Sequence, residues 1–230
     1  MRDRLLSPKP AAVRSLADPT VLLRALGAGA LSGVLCYPRL AHWAQREQAV
    51  GLLVAFVGLT AFTMWAAVFA WHERHGGRSL MPGKLPLRFW AMTAGLGLAG
   101  AVAAFHFGDP VLRRIAVTEF PQNAGEWAEH LLFNLGMEQL FLCSAPFAVG
   151  LRVLPNARAA GVTTVLFGLF VFALKLRGVT AELPADLMLV LLMGRAMQGA
   201  VTVWLYWQGG LPALWSFVVL LQFRHWFAFA

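Results

Sequence analysis

The chain has 230 residues, of which 59% are hydrophobic and 13% charged, and its mean hydropathy is +0.64. Soluble domains are about 45–50% apolar and about 25% charged, so a soluble core of this size could not bury so much apolar surface. The net charge is +8, but the Lys and Arg residues are scattered between apolar runs, which argues against nucleic-acid binding. Cations that flank apolar runs instead indicate membrane lipids as partners.

Seven apolar runs approach the length of about 20 residues that a membrane-spanning helix needs. We predict spans at 21–38, 50–71, 89–107, 130–149, 159–174, 187–207 and 211–230. The last run contains Gln222, Arg224 and His225, so six spans followed by an interfacial C-terminal helix is the alternative. The predicted fold class is an all-α, polytopic membrane helix bundle, with residues 1–230 as a single integral membrane domain.

The segments between the runs predict the topology. Residues 72–88 are rich in Gly, Pro and charge, which places them outside the bilayer core. Residues 109–129 are acidic-leaning and are predicted as an outside segment with an interfacial helix before the fourth span.

A count of cations favours a cytoplasmic N-terminus, with residues 1–20 as a basic tail and the first run retained as a span. The predicted inside segments carry ten Lys and Arg residues. The outside segments carry seven, namely Arg39, Arg46, Arg113, Arg114, Lys175, Arg177 and Arg224.

The two cysteines give no sign of a disulfide, a metal site or a cofactor. Cys36 and Cys143 both lie inside apolar runs, and neither belongs to a CxxC pattern. We therefore expect two small buried hydrophobic side chains and predict no cofactor.

Two charges fall at membrane depth, where charges are costly. Glu138 is near the middle of the fourth run and Arg195 near the middle of the sixth. Asn134 precedes Glu138 by four residues and Gln198 follows Arg195 by three, so each charge shares a helix face with an amide. These two faces predict one buried site in which Glu138 and Arg195 are partners. The site is either an ion pair that fixes packing or a catalytic centre with Glu138 as general base.

Three segments carry a family resemblance. Residues 138–144 (EQLFLCS) are similar to a Glu-Glu-x-x-x-Arg motif, residues 166–171 (LFGLFV) to Phe-x-x-x-His, and residues 205–219 to a Gly-anchored final helix with His-x-x-x-Asn. In order and spacing they resemble the CAAX protease and bacteriocin-processing (CPBP, or Abi) family. The resemblance implies a CPBP-like core over residues 127–230 and an intramembrane endopeptidase, whose first Glu and second-motif His activate water.

Most of the family's catalytic positions are altered in this chain. Glu138 matches the first Glu, and Phe167 is kept. Gln139 stands at the second Glu, Cys143 at the Arg and Val171 at the second-motif His. A membrane carboxylate without an imidazole partner has no evident means to orient water. The resemblance therefore supports the fold more than the activity.

The last motif lacks its His and Asn as well. The residues near those positions are Val218, Val219, Gln222 and Phe223. A register shifted by one residue aligns Met137 and Glu138 with the two Glu positions but spoils the Leu-Phe match. His130 and His225 lie off the family spacing, and His225 is the better candidate to fold back toward Glu138.

These observations predict a CPBP-like protein with a degenerate catalytic site, in which Glu138, Arg195 and His225 are the candidate catalytic residues. The alternative is a non-catalytic membrane subunit or a pseudoprotease that binds helical segments in a larger complex. A small transporter would call for inverted repeats and broken helices, which the sequence does not indicate. The expected partner is a transmembrane or membrane-anchored protein, and the expected location is the bacterial cytoplasmic (inner) membrane.

Overall fold

A computed structural model of the chain describes residues 16–44, 47–115, 120–177 and 185–226. These residues form helices and turns without any strand, which confirms the predicted all-α fold. Six of the described helices are long and apolar enough to cross a membrane. The chain is therefore an integral membrane helix bundle. Most of the predicted N-terminal tail, together with residues 227–230, lies outside the described ranges.

The first five helices each correspond to one predicted span and extend beyond it at both ends. They are α1 (Pro19–Trp43), α2 (Glu47–Gly76), α3 (Leu87–Arg114), α4 (Ala124–Val153) and α5 (Ala157–Arg177). The extra turns carry the charged residues that flank each apolar run, because helical geometry continues into the headgroup region.

The last helical stretch, Ala185–Trp226, contains 42 residues and is broken at Gly210. As one straight helix it would be about 63 Å long, roughly twice the apolar thickness of a bilayer. Gly210 has φ 64° and ψ −159°, a conformation that side chains with a Cβ rarely adopt. We call its two parts α6 (residues 185–209) and α7 (residues 211–226), so each of the seven predicted runs is helical over its described residues.

Helix α7 folds back through the bundle. Arg224 near its end interacts electrostatically with both Arg195 and Glu138, although a straight helix would separate Arg224 from Arg195 by about 43 Å. Leu214, Phe217 and other apolar residues of α7 are buried in the core. Helix α7 therefore packs against the core of the bundle.

Small residues set the closest helix contacts. A Cβ on Gly29 of α1 would lie 2.8 Å from the backbone nitrogen of Phe62 in α2, and one on Gly97 of α3 would lie 2.8 Å from Cβ of Leu220 in α7. A Cβ on Gly27 or Gly95 would have no neighbouring atom within 4 Å. Only some of the glycines in the apolar runs therefore lie where two helices pack closely.

The structure corrects the prediction of an interfacial helix within the segment 109–129. Asp109–Ile115 continues α3 as helix, and α4 already begins at Ala124, so the described residues of this segment form no separate interfacial helix. A π-helical turn, Ala104–Gly108, comes just before Pro110. Proline and π-helical turns bend a helix without ending it. Asp109 is consequently only 2% exposed rather than in a loop.

Candidate functional site

The site is built on α4, where the helix widens twice. Asn134–Glu138 and Leu140–Ser144 are π-helical, and such turns are rare and frequent at functional sites. Asn134 donates from Nδ2 to Oε2 of Glu138 at 2.7 Å, and Gln139 donates from Nε2 to Oδ1 of Asn134 at 2.8 Å. The wider turns thus bring two amides and one carboxylate into a single network.

Arg195 of α6 faces this network, which confirms the predicted pairing. Its Nη2 lies 3.9 Å from Oε1 of Glu138, and its Nη1 donates to Oε1 of Gln198 at 3.1 Å. The guanidinium carbon also lies 5.9 Å from the centre of the Phe172 ring on α5. Both side chains keep some exposure, 22% for Arg195 and 37% for Glu138. One oxygen of the carboxylate therefore meets an amide and the other a cation.

A small pocket opens beside Arg195 between α4, α5 and α6. Its volume is about 30 Å³, which is room for roughly two water molecules. Its polar lining consists of Gln139, Thr164, Arg195, Gln198 and Thr202. The hydroxyl protons of both threonines are already donated to backbone oxygens of their own helices. The lining therefore offers guanidinium and amide donors together with amide and hydroxyl acceptors.

The first two motif segments lie side by side. The Phe141 ring of α4 packs at 5.4 Å against the Phe167 ring of α5. A Cβ on Gly150 of α4 would lie 3.0 Å from Cβ of Ala160 in α5. These contacts make the two helices antiparallel, and continuing their register puts Val171 at about the level of Glu138. The position of the family's His is thus at the level of the carboxylate, but it holds an aliphatic side chain.

His225 does not reach Glu138 in the described part of the chain. It is 5% exposed and packs edge-on against Phe120 at 5.5 Å. The charged and basic groups that act on it are Arg224, His130 and Arg113. The other off-spacing histidine, His130, contacts Arg39 through Nε2. The catalytic role of His225 stays a prediction, and the rebuilt Glu–His pair is not formed in this structure.

Two buried polar contacts were absent from the sequence prediction. Arg224 donates from Nε to Oδ1 of Asp109 at 3.2 Å, and Arg39 of α1 is 5% exposed beside His130. We had assigned Arg39, Asp109 and Arg224 to outside segments. The signal in the sequence was their position within one or two turns of an apolar run, where a charge can turn inward as well as outward.

A second polar cluster lies in the core. His72 is 0% exposed, and its ring centre lies 4.8 Å from that of Tyr206 and 6.2 Å from that of Phe147. The Tyr206 hydroxyl faces Ser144, yet neither hydroxyl makes a hydrogen bond of regular geometry. Neither ring nitrogen of His72 has a hydrogen-bond partner. Ser144 and Tyr206 belong to predicted spans, whereas His72 begins the segment 72–88 that the sequence places outside the bilayer core. That placement is wrong for His72, because α2 continues to Gly76 and buries the ring.

The described residues contain no group of three or more His, Cys, Asp or Glu side chains that could hold a metal ion. Cys36 and Cys143 are buried and free, as their sequence context predicted. The fold and the site therefore define an integral membrane bundle with a polar centre of one Glu, one Arg and three amides. Comparison with protein-family models, with curated proteins and with solved structures finds no match to this chain.

Proposed function

We propose that this chain is a membrane-embedded pseudoprotease, which holds a membrane-spanning segment of a partner protein at its polar centre without cleaving it. One observation carries this proposal: both oxygens of the Glu138 carboxylate face fixed groups, Asn134 on one side and Arg195 on the other. A general base has to reach a water molecule with one of its oxygens, and here both oxygens already face side chains of the protein.

The lack of an imidazole at the centre supports the same function. Among the described residues, Glu138 has a hydrogen bond with Asn134 and an ion pair with Arg195, and neither partner is an imidazole. Val171 of α5 lies at about the level of the carboxylate. Arg195 can stabilise a negative charge, but it cannot exchange a proton with a leaving group. The centre therefore has a charge stabiliser without the acid–base pair that peptide hydrolysis needs.

The relation to the CPBP family belongs to this proposal. The helices that carry the first two motif segments are adjacent and antiparallel, and the third segment returns to the same bundle as α6 and α7. This arrangement fits a shared origin with loss of catalytic groups. We also place the protein in the bacterial cytoplasmic membrane, with a transmembrane or membrane-anchored protein as its partner.

The experiment is a cleavage assay on single-span fluorescent reporter proteins that are co-expressed with the wild-type chain, Glu138→Ala or His225→Ala. A matched control is Glu126→Ala, which removes a carboxylate from the N-terminal turn of α4. We expect the same reporter pattern in all four strains. Cleavage that disappears in Glu138→Ala alone would overturn the pseudoprotease and establish a glutamate-dependent protease. Additional dependence on His225 would show that the catalytic pair is rebuilt from α7.

A further inference from the structure

The guanidinium of Arg195 has more N–H groups than its contacts with Gln198 and Glu138 use. An arginine carries five N–H groups, and one nitrogen of Arg195 donates to Gln198. Its approach to Glu138 at 3.9 Å is an ion pair that is too long for a hydrogen bond. Arg195 lines the pocket, so a ligand there can offer it an acceptor oxygen.

The depth of Arg195 limits what this ligand can be. The residue lies ten positions after the start of α6, which corresponds to about 15 Å along the helix and half of an apolar layer of about 30 Å. A lipid phosphate stays at the surface of that layer. A polar group at the depth of Arg195 is therefore carried on a membrane-spanning segment.

The charge balance decides between an acidic and a neutral group. Arg195 is paired with Glu138 and Arg224 with Asp109, so these four residues are neutral together. A carboxylate from a partner would add one uncompensated charge inside the membrane, which is costly. A neutral amide adds none. Its oxygen can accept from Arg195, and its N–H groups can donate to the amide and hydroxyl oxygens of the pocket.

The lipid-facing side of the pocket lets another helix come close. Positions Gly168 of α5 and Gly194 of α6 have no atom within 4 Å of where a Cβ would stand. Phe170 and Met197 beside them are more than half exposed. Small residues at such a place allow close approach of two helices in a membrane.

From these observations we infer that the pocket beside Arg195 binds an Asn or Gln side chain in the middle of a partner's membrane-spanning helix. The inference rests on the proposed function, since it names the feature by which the partner segment is held. Glu138 has a distinct part in it: by neutralising Arg195, it selects an amide over a carboxylate.

The test uses synthetic transmembrane helices that differ at one central residue, Leu, Asn or Asp, and the full-length protein in lipid nanodiscs. Binding is measured by energy transfer at low peptide-to-lipid ratio, so that the peptides do not pair with each other. One interhelical hydrogen bond predicts that the Asn peptide binds about threefold to tenfold more tightly than the Leu peptide. We expect Arg195→Gln to remove most of this preference. Arg114→Gln, at an exposed position, is the matched control and retains it.

The Glu138→Gln variant tests the preference for an amide over a carboxylate directly. It leaves Arg195 without its carboxylate, so the Asp peptide should now bind more tightly than the Asn peptide. Equal binding of Leu and Asn peptides by the wild type would overturn the inference, as would an unchanged order in folded Glu138→Gln. If Arg195→Gln does not fold, the inference is tested by whether Glu138→Gln changes the preference from the Asn peptide to the Asp peptide. Cleavage of a bound Asn peptide would overturn the proposed function while supporting the inferred binding.

Discussion

Nη2 of Arg195 lies 3.9 Å from Oε1 of Glu138, so an ion pair connects α6 to α4 within the bundle. Replacing Glu138 by Gln leaves the guanidinium without a carboxylate partner in an apolar medium. We expect a loss of about 1–3 kcal/mol in the free energy of unfolding. This is less than the 3–5 kcal/mol typical of a fully buried pair, because the Glu138 side chain is more than one-third exposed.

The measurement is reversible unfolding in mixed detergent micelles with increasing SDS. The double exchange Glu138→Arg with Arg195→Glu restores opposite charges and should recover part of the loss. A similar charge removal at the exposed Arg114 is the control, and it should change stability by less than about 0.5 kcal/mol. A Glu138→Gln protein as stable as wild type would show that the pair does not stabilise the bundle.

The helical fold was predictable because the bilayer restricts the choices. A lipid-exposed backbone has to satisfy its own hydrogen bonds, so long apolar runs become helices. What the sequence did not predict are the places where a helix continues past a turn-like signal or reverses. Asp109 with Pro110 resembled a loop but continues α3. The reversal at Gly210 depends on a backbone conformation that composition alone does not reveal.

His72 offers a test of buried polarity. Its ring is fully buried against Tyr206 and Phe147, and neither ring nitrogen has a hydrogen-bond partner. His72→Phe replaces two unpaired polar atoms by carbon of similar shape, so we expect a gain of about 1 kcal/mol in the free energy of unfolding. His72→Ala should cost about 2–4 kcal/mol because it leaves a cavity. If SDS unfolding shows that His72→Phe is destabilised like His72→Ala, the imidazole nitrogens are bonded in the folded protein.

Gly210 should not tolerate a side chain. Its φ is 64°, and an added Cβ would lie 2.2 Å from the carbonyl oxygen of Leu80. That oxygen accepts a hydrogen bond from the backbone nitrogen of Leu211 at 3.0 Å. Gly210→Ala should therefore lower the free energy of unfolding by about 3 kcal/mol or more. Gly194→Ala, in open space on α6, is the matched control and should fold like wild type. Normal folding of Gly210→Ala would show that another conformation can connect α6 to α7.

The orientation in the membrane is testable by cysteine accessibility. Ser79 lies between α2 and α3 and Asn123 just before α4, so α3 separates them. Three cations that we counted as outside charges contact side chains of the bundle, namely Arg39 with His130, Arg113 with Phe120 and Arg224 with Asp109. Two inside cations also contact side chains, Arg78 with Trp207 and Arg152 with Trp71. Leaving out all five gives eight inside cations against four outside, so the bias for a cytoplasmic N-terminus is kept.

In a background with Cys36 and Cys143 replaced, a membrane-impermeant thiol reagent added to intact cells should label Asn123→Cys but not Ser79→Cys. Asn156→Cys, between α4 and α5, should behave like Ser79→Cys. Labelling of Ser79→Cys and Asn123→Cys from the same side would contradict the whole topology, and exchanged labelling would contradict the orientation alone.

The centre of the site was predictable in part. Glu138 and Arg195 stood out as the mid-span charges of the apolar runs, and two opposite charges at one depth tend to pair. The second pair, Arg224 with Asp109, was not found because each residue lies near the end of a run, where water is the simpler partner. The π-helical turns of α4, which determine the direction of Asn134 and Gln139, follow from packing and have no pattern in the sequence.

The register between α4 and α5 leads to the last prediction. The Phe141–Phe167 contact at 5.4 Å and the Gly150–Ala160 approach set a register that puts Val171 at about the level of Glu138. Val171→His would put an imidazole at the level of the carboxylate, where the resemblance to the CPBP family expects one. An imidazole can exchange protons near neutral pH, which neither Arg195 nor an amide of the site can do.

We expect Val171→His, like the wild-type chain, to leave single-span reporters uncleaved, because Asn134 and Arg195 still face both oxygens of Glu138. Phe170→His is the matched control, because that position on the same helix is 60% exposed; it should leave the reporters intact. Cleavage by Phe170→His, or cleavage by Val171→His that survives Glu138→Gln, would separate the activity from this site. Cleavage by Val171→His that Glu138→Gln abolishes would show that the missing imidazole alone prevents catalysis, and it would contradict a block of Glu138 by Asn134 and Arg195.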